Sequence, residues 1–378
     1  MKNVNPSLNS RVKKPVDFWL VLAILGLLGM GTMMVFSSSS SASYVKFNNS
    51  YELLTKQILW VVLGLLVMAI VSRIDYRFFT GLAVPIFGVA ILLLILVLIP
   101  GVGHSYNNAR RWFSIAGTTI QPSEIMKLGI VLLFASMFEN ESKTKKNTTF
   151  LGFLKCLGII AVVAGLLYFE PHVSCAVIVS GTAVIIMYLG GTKLKHFGIV
   201  AGAGVGFAVV AFTTLNHVNE RFSTWLNPFD YANDEGYQVV QSLLAIGSGG
   251  LTGKGLGQSV QKYLYLPEPY NDFIFSILAE ELGFIGCLAV IILFGFFIIR
   301  GYKIAIHAPD KKAKLVAAGI TTIITIQVIM NIAVVTSSIP VTGISLPFFS
   351  YGGSSLVIMM INMGILLNIS SQADYEKF

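Results

Sequence analysis

An all-α integral membrane fold is predicted for this chain by its hydropathy, its shortage of charge and the length of its apolar runs. The 378 residues have a mean hydropathy of +0.76. Hydrophobic residues make up 55% of the chain and charged residues only 12%. Soluble domains average about 25% charged residues. Too little polar surface remains to keep a folded chain of this size in water, so an ordinary soluble enzyme is excluded.

The apolar runs each have roughly the 20 residues that a helix needs to cross the hydrocarbon core of a bilayer. Because they are spread evenly, we expect one membrane-embedded unit over residues 1–378. The runs predict about ten transmembrane helices, at residues 18–40, 56–72, 79–100, 124–139, 151–169, 173–190, 196–215, 272–299, 314–337 and 351–369.

Lysine and arginine fall mainly in alternate connections between these runs, as around Arg73, Lys145, Lys193 and Lys312. Cytoplasmic loops of membrane proteins carry the excess of these residues, so both the N- and C-termini are predicted to be cytoplasmic. The net charge of +8 follows from this topology, and no nucleic-acid partner is expected.

Residues 216–271 interrupt the series because they are too polar to span the membrane. The predicted orientation makes them a large extracytoplasmic loop between spans seven and eight, and their aromatic and glycine content argues against disorder. The glycine run within this loop, Gly247–Gly257, is not a nucleotide-binding P-loop. Ser248 stands where that motif requires Gly, and Gly255 stands where it requires Ser or Thr.

Ionisable residues inside membrane spans are costly and usually functional. Glu124 and Lys127 lie three residues apart on one helix face, where they could form a structural ion pair or contact a substrate. Glu280 and Glu281 are adjacent, so they cannot share one face of a helix, and at least one is expected to find a partner inside the bundle.

Asp272 and the sequence Arg110-Arg111-Trp112 are the candidates for chemistry on the predicted outer side. Asp272 stands at the start of the eighth span, where an aspartate could cap the helix or act as a general base. The arginines suit bidentate contact with phosphate or pyrophosphate, although Arg and Trp also serve as anchors at membrane interfaces. The residues alone do not decide between these alternatives.

Motifs along most of the chain, taken together, resemble the SEDS family (shape, elongation, division and sporulation). They occur in order at Asn108–Trp112, Gln121–Glu124 with Lys127, Gly236–Gln238, Gln241–Leu243, the glycine run, Leu266–Glu268, Asp272–Phe275, Glu280–Gly283 and Leu346–Ser355. The stretch Gly255–Ser259 with Lys262 is more similar to the FtsW and SpoVE members than to RodA. Many members have an aspartate where this chain has His172.

The resemblance implies a peptidoglycan glycosyltransferase of the bacterial cytoplasmic membrane. Such an enzyme polymerises lipid II into glycan strands on the outer face during cell division or sporulation. The expected partners are lipid II, a class B penicillin-binding protein acting as transpeptidase, and other divisome or sporulation membrane proteins. A divalent cation could help to neutralise pyrophosphate, although no ligand cluster is evident and no other cofactor is expected.

The family's essential aspartate corresponds to Asp272, which is therefore the expected catalytic residue. The expected substrate contacts are Arg110, Arg111, Trp112, Gln121, Ser123, Glu124, Lys127, Gln238, Lys262, Glu268 and Ser354.

Two other classes of function also fit a polytopic membrane protein. In a lipid II flippase or an ion-coupled transporter, Glu124, Lys127, Glu280 and Glu281 would form the substrate or proton path. In a structural scaffold, the chain would only recruit the transpeptidase. The long outer loop with its acidic residue favours external chemistry, because carriers bind near the middle of the membrane.

Overall fold

A computed structural model describes residues 14–375 of the chain, apart from residues 107, 108, 116, 117, 215, 233 and 235. Asn108 of the motif and the first thirteen residues of the predicted cytoplasmic N-terminus therefore lie outside the described part. The α-helices are α1 (Phe18–Phe47), α2 (Glu52–Arg73), α3 (Tyr76–Gly81), α4 (Ala83–Leu98), α5 (Pro122–Met137), α6 (Glu141–Thr148), α7 (Phe150–Phe169), α8 (Val173–Gly190), α9 (Phe197–Thr214), α10 (Asn216–Leu226), α11 (Tyr237–Gly249), α12 (Ile274–Ile306), α13 (Lys311–Val335) and α14 (Ser354–Ser371).

Each of the ten predicted spans corresponds to one long helix of the structure. Among the described residues, eight helices are long and apolar enough to cross a membrane. The other two predicted spans correspond to α4 and α5, which have 16 residues each. The mostly helical membrane fold is thereby confirmed.

A small antiparallel sheet departs from the all-α prediction. It consists of β1 (His104–Tyr106), β2 (Ala109–Ile115) and β3 (Thr118–Ile120), in the order β1-β2-β3. The strands occupy the connection between α4 and α5. We call the end of the bundle that carries this sheet and α10 the outer end. The strands are only 3 to 7 residues long, which is too short for a clear periodic signal in the sequence.

The helix α13 lies at the centre of the bundle, whereas α9 lies at its margin. Two thirds of the apolar window of α13 is buried (67%), compared with 6% of that of α9. Close packing at the centre depends on small residues. A Cβ atom at Gly31 of α1, for example, would lie 2.2 Å from the carbonyl oxygen of Phe348, so no larger residue fits there.

The predicted outer loop of residues 216–271 is more ordered and more deeply packed than a free loop. It contains α10 and α11, and α11 runs beside the first part of α12 in the same direction. The Oγ atoms of Ser242 and Ser276 are 2.7 Å apart, and the amide of Lys254 donates to the carbonyl oxygen of Glu280 at 3.0 Å. The glycine run that follows α11 thus contacts α12 about two turns from the start of that helix.

Gly283 interrupts α12 at the depth of this run. Its φ of 64° is in the left-handed region, which glycine adopts without the steric penalty of other residues. A Cβ atom here would also lie 2.3 Å from the amide nitrogen of Gly253. The break therefore lets the glycine run pack directly on α12.

Candidate functional site

A polar cavity of about 540 Å³ opens at the outer end, between the sheet, α5, α8, α10, α13 and the start of α14. It gathers residues from distant parts of the chain. Nine of the predicted site residues line it: Arg111, Trp112, Gln121, Glu124, Lys127, Gln238, Glu268, Asp272 and Ser354.

Asp272 borders this cavity immediately before α12 begins. The cap position of α12 is Phe273, and no side chain caps the helix, so the structure does not support the capping alternative for Asp272. The pKa of the Asp272 carboxyl is raised to about 6, first by burial and second by the nearby Glu268 carboxylate, while Arg111 and Arg221 act against this rise. A carboxyl with this pKa is mostly ionised at neutral pH and can accept a proton.

The two arginines of the motif have different surroundings because successive side chains of a strand point to opposite faces. Arg111 lines the cavity, and its Nε donates to the carbonyl oxygen of Glu170 at 3.1 Å. It also donates to the carbonyl oxygen of Pro171. Arg110 is exposed and is not among the residues that line the cavity. We therefore do not retain Arg110 as a substrate contact.

Arg111 keeps its charge at neutral pH. The pKa of its guanidinium is lowered to about 10, first by burial and second by the positive charge of Arg221, while Glu170 and Asp272 oppose this change. The Glu170 carboxyl is fully buried, and burial raises its pKa to about 8. Because Glu170 is mostly neutral at pH 7, it compensates little of the arginine charge.

Arg221 is a cavity residue that the sequence analysis did not single out. It lies on α10, and its guanidinium donates to the carbonyl oxygen of Val341 at 3.2 Å. Trp225, one turn further, donates to the carbonyl oxygen of Ser337 at 2.8 Å. The amphipathic pattern of α10 is the sequence signal that could have identified Arg221, since a helix at the outer surface turns one face towards the bundle.

Glu124 and Lys127 form an ion pair that also lines the cavity. Their charged atoms are 2.7 Å apart, and their side chains are 15% and 5% exposed. Both alternatives from the sequence, a structural pair and a substrate contact, are therefore compatible with their position. Gln327 and Ser355 line the same part of the cavity as this pair.

Gln121, His172 and Ser354 are further polar residues that line the cavity with Asp272. Gln121 lies next to His172, with 3.5 Å between its Nε2 and the His172 Nδ1. Burial keeps the pKa of His172 well below its usual value, and the surrounding cations Arg111, Lys127 and Arg221 lower it further. His172 is therefore a neutral hydrogen-bonding group. Ser354 donates from Oγ to the carbonyl oxygen of Thr119 at 2.6 Å, which joins β3 to the start of α14.

Besides Arg110, two further predicted substrate contacts, Ser123 and Lys262, do not line the cavity. Ser123 is completely buried in the first turn of α5 and is not among the lining residues. Lys262 is 3% exposed, and its ammonium donates to Glu281 at 3.0 Å and to the Oγ of Ser37 at 3.1 Å. The charge of Lys262 is thus compensated within the bundle, and the structure does not bring this residue to the cavity.

The adjacent carboxylates Glu280 and Glu281 are both fully buried and both paired. Glu280 contacts Lys254 at 2.6 Å, and the amides of Val260 and Gln261 also donate to it. The glycine run wraps around the broken part of α12, so each carboxylate meets a partner on its own face. Neither residue lines the cavity, which argues against a proton path through them.

Substitution of Lys262 by methionine should destabilise the protein. It would leave Glu281 buried without its cation, and breaking a buried pair in this way costs about 3 kcal/mol or more. We expect a lower unfolding temperature in detergent. Lys254→Met should have a smaller effect, since Lys254 is 33% exposed and Glu280 keeps its two amide donors. Equal unfolding temperatures for wild type and Lys262→Met would contradict this prediction.

Within the described residues, no group of three His, Cys, Asp or Glu side chains could hold a metal ion. In the cavity, Asp272 lies near Glu268, and a cation would have to share these carboxylates with a bound anion. The arrangement combines the Asp272 carboxylate, as a proton acceptor, with two half-buried arginines, Arg111 and Arg221. Such a site can accept a proton from a hydroxyl and stabilise negative charge on a departing phosphate.

Comparison with known proteins gives matches along the whole chain. A family of cell cycle proteins comprising FtsW, RodA and SpoVE matches residues 18–375. Stage V sporulation protein E of Bacillus subtilis is 40% identical over 364 residues, covering 96% of this chain and 99% of that protein. The probable peptidoglycan glycosyltransferase FtsW of Geobacter sulfurreducens is 37% identical, with 98% and 99% covered.

Solved structures share the same architecture. A chain of a peptidoglycan synthase complex that coordinates polymerization and crosslinking matches with a TM-score of 0.78 and 27% identity, covering 94% of this chain and 97% of that chain. The rod shape determining protein RodA of Thermus thermophilus matches with a TM-score of 0.69 and 27% identity, covering 96% and 98%.

Proposed function

Because the chain belongs to the family of FtsW, RodA and SpoVE, we propose that its cavity polymerises lipid II into glycan strands, with Asp272 as the general base. The protein is a multi-pass peptidoglycan glycosyltransferase of the bacterial cytoplasmic membrane, as its similarity to FtsW and RodA indicates. One observation carries the assignment of the site. The Asp272 carboxyl does not cap α12, and it lies in one cavity with Arg111 and Arg221.

The proposed step is a single displacement at the anomeric carbon of the donor sugar. An acceptor hydroxyl forms the new C–O bond while its proton passes to Asp272, and the bond to the lipid pyrophosphate breaks. An α-linked donor gives a β-linked product, which requires inversion, and inverting glycosyl transfer uses a carboxylate base on the acceptor side. Asp272 is the cavity carboxylate that we assign to this role.

The leaving pyrophosphate needs positive charge more than it needs a proton. Arg111 supplies this charge within the cavity, and the Glu124–Lys127 ion pair lines the same cavity. A guanidinium can bind two phosphate oxygens at once. We assign Arg111 to the pyrophosphate. A divalent cation that would help to neutralise the pyrophosphate stays a prediction, for which Asp272 and Glu268 would be the nearest carboxylates.

A carrier function fits the structure less well than external chemistry does. Of the four acidic and basic residues that a transport path would use, Glu280 and Glu281 lie outside the cavity in closed ion pairs. The cavity opens at the outer end, beside the sheet and α10. The lipid II flippase and the ion-coupled transporter are therefore not favoured.

An assay with purified protein and defined lipid II in detergent tests the proposed function. We expect glycan polymer without any other glycosyltransferase present. A parallel assay in liposomes measures the movement of labelled lipid II between leaflets. Transbilayer movement without polymer would overturn the proposal in favour of a carrier. If the protein showed neither activity, the remaining function would be that of a structural scaffold.

The polymerisation rate should depend on pH through Asp272. Only the ionised carboxylate accepts a proton, so kcat/KM should fall about tenfold per unit as the pH drops below about 6 and level off above it. Glu268→Gln removes a charge that raises this pKa, so its acid limb should move to lower pH. A wild-type rate that stays constant down to pH 4 would contradict this role for Asp272.

A class B penicillin-binding protein is the partner that we propose for the chain. The structural match to a peptidoglycan synthase complex supports an assembly of polymerising and crosslinking subunits. Lipid II as substrate and other divisome or sporulation membrane proteins as further partners belong to the same proposal. Co-purification of the chain with such a transpeptidase from detergent tests this assembly.

A further inference from the structure

We propose that Asn331 is a positioning residue that holds the catalytic Asp272 in place through its main chain. The inference rests on the proposed function, because it assigns Asn331 a role in the same reaction. Asn331 lies on α13, is 1% exposed and is not among the residues that line the cavity.

The Asn331 amide connects two segments that have no regular structure of their own. Its Nδ2 donates to the carbonyl oxygen of Asp272 at 2.8 Å and to that of Ile344 at 2.7 Å. Both partners are acceptors only, so both hydrogens of the amide nitrogen are used. The side chain therefore ties the backbone of the catalytic residue to the segment before α14.

Two neighbouring bonds complete this connection. The Oγ of Ser350 donates to the carbonyl oxygen of Asn271 at 2.7 Å. The backbone amide of Tyr351 donates to the carbonyl oxygen of Tyr270 at 2.8 Å. Three successive carbonyl groups, of residues 270–272, thus each receive a hydrogen bond from α13 or from the segment 344–351. We call these three bonds the backbone clasp. It fixes the chain direction from which the Asp272 side chain enters the cavity.

The orientation of the Asn331 amide is set by its two donations. Its Nδ2 points to the carbonyl oxygens of Asp272 and Ile344, while its buried Oδ1 has no partner among the described residues. Catalysis supplies a reason, because a misplacement of a reacting group by about 1 Å can lower a rate about 100-fold.

The test compares Asn331→Leu and Asn331→Asp with wild type in the lipid II assay. Both variants remove the donors while keeping the approximate size of the side chain. We expect kcat to fall about 100-fold, while KM for lipid II changes by less than about threefold, because Asn331 does not touch the cavity. In Asn331→Leu, which adds no charge, the acid limb of the pH profile should also move to lower pH, since a displaced carboxyl is better solvated.

The matched control is Thr322→Val on the same helix. Thr322 is 1% exposed and lies 2.9 Å from the Tyr302 hydroxyl of α12, so this variant removes a buried contact between α12 and α13 away from Asp272. We expect wild-type activity from it. Ser350→Ala removes another bond of the backbone clasp and should give a smaller loss of kcat than Asn331→Leu, which provides a second test if Asn331 variants fold poorly.

The outcomes separate this inference from the proposed function. Wild-type kcat and pH profile in the folded Asn331 variants would overturn the positioning role, as would equal losses in Thr322→Val. If wild type forms no polymer, or if Asp272→Asn remains active, the proposed function itself fails. An inactive Asp272→Asn together with fully active Asn331 variants would reject only the positioning role.

Discussion

Asp272→Asn should abolish nearly all polymerisation of lipid II while leaving the protein folded and inserted. Asparagine has almost the same shape but cannot accept a proton from the attacking hydroxyl, and general-base assistance is typically worth about 10²–10⁴-fold. The carboxyl does not cap α12, so its loss removes no helix-capping bond. The rate is measured with purified protein in detergent, and the unfolding temperature is measured on the same samples.

Asp234→Asn is the matched control for this substitution. Asp234 is an exposed carboxylate in the turn before α11 and is not among the cavity residues. Its replacement changes the same chemical group at the same end of the bundle, and we expect wild-type activity. A folded Asp272→Asn protein that polymerises lipid II at near wild-type rate would refute Asp272 as the base.

Arg111→Met should lower kcat/KM about 10²–10³-fold, the usual effect of removing one preorganised donor to developing charge. The guanidinium lies in the cavity with Asp272 and keeps its charge at neutral pH. Arg110→Met, one residue earlier on the same strand, should lower kcat/KM by less than about threefold. This pair of variants therefore tests the strand geometry directly, with the same substitution on the two faces.

The outcome for Arg111 has to be separated from an effect on folding, because Arg111 also donates to the carbonyl oxygens of Glu170 and Pro171. Arg111→Lys keeps the positive charge but loses the planar, two-pronged geometry, so it should retain more activity than Arg111→Met. Equal activity of the Arg110 and Arg111 methionine variants would contradict the assignment of the pyrophosphate to Arg111.

The transmembrane helices and the catalytic candidate could be predicted because their signals are local in sequence. A helix in lipid satisfies its backbone hydrogen bonds within itself, so each span must be one continuous apolar run. All ten predicted runs correspond to helices of the structure. Asp272 stood at the start of such a run, and the resemblance to a family identified it among the few acids on that side.

The contacts of each polar side chain, by contrast, could not be predicted from local sequence signals. Lys262 and Arg111 are both bases on the predicted outer side, yet Lys262 neutralises Glu281 while Arg111 faces the cavity. The partner of Lys262 on α1, Ser37, is 225 positions away in the sequence. Contacts over such separations depend on how helices pack, which no short pattern records.

The sequence by itself determined that this protein is a membrane-embedded bundle with Asp272 at the start of one of its helices. Hydropathy suffices for this, because the bilayer imposes the same length and polarity on every span. Only the tertiary structure decided that Asp272 does not cap α12 and that Arg111 rather than Arg110 shares its cavity. It also decided that Arg221 and Asn331 lie beside Asp272. These facts follow from packing between distant segments, where burial and hydrogen-bond partners decide the charge and direction of each group.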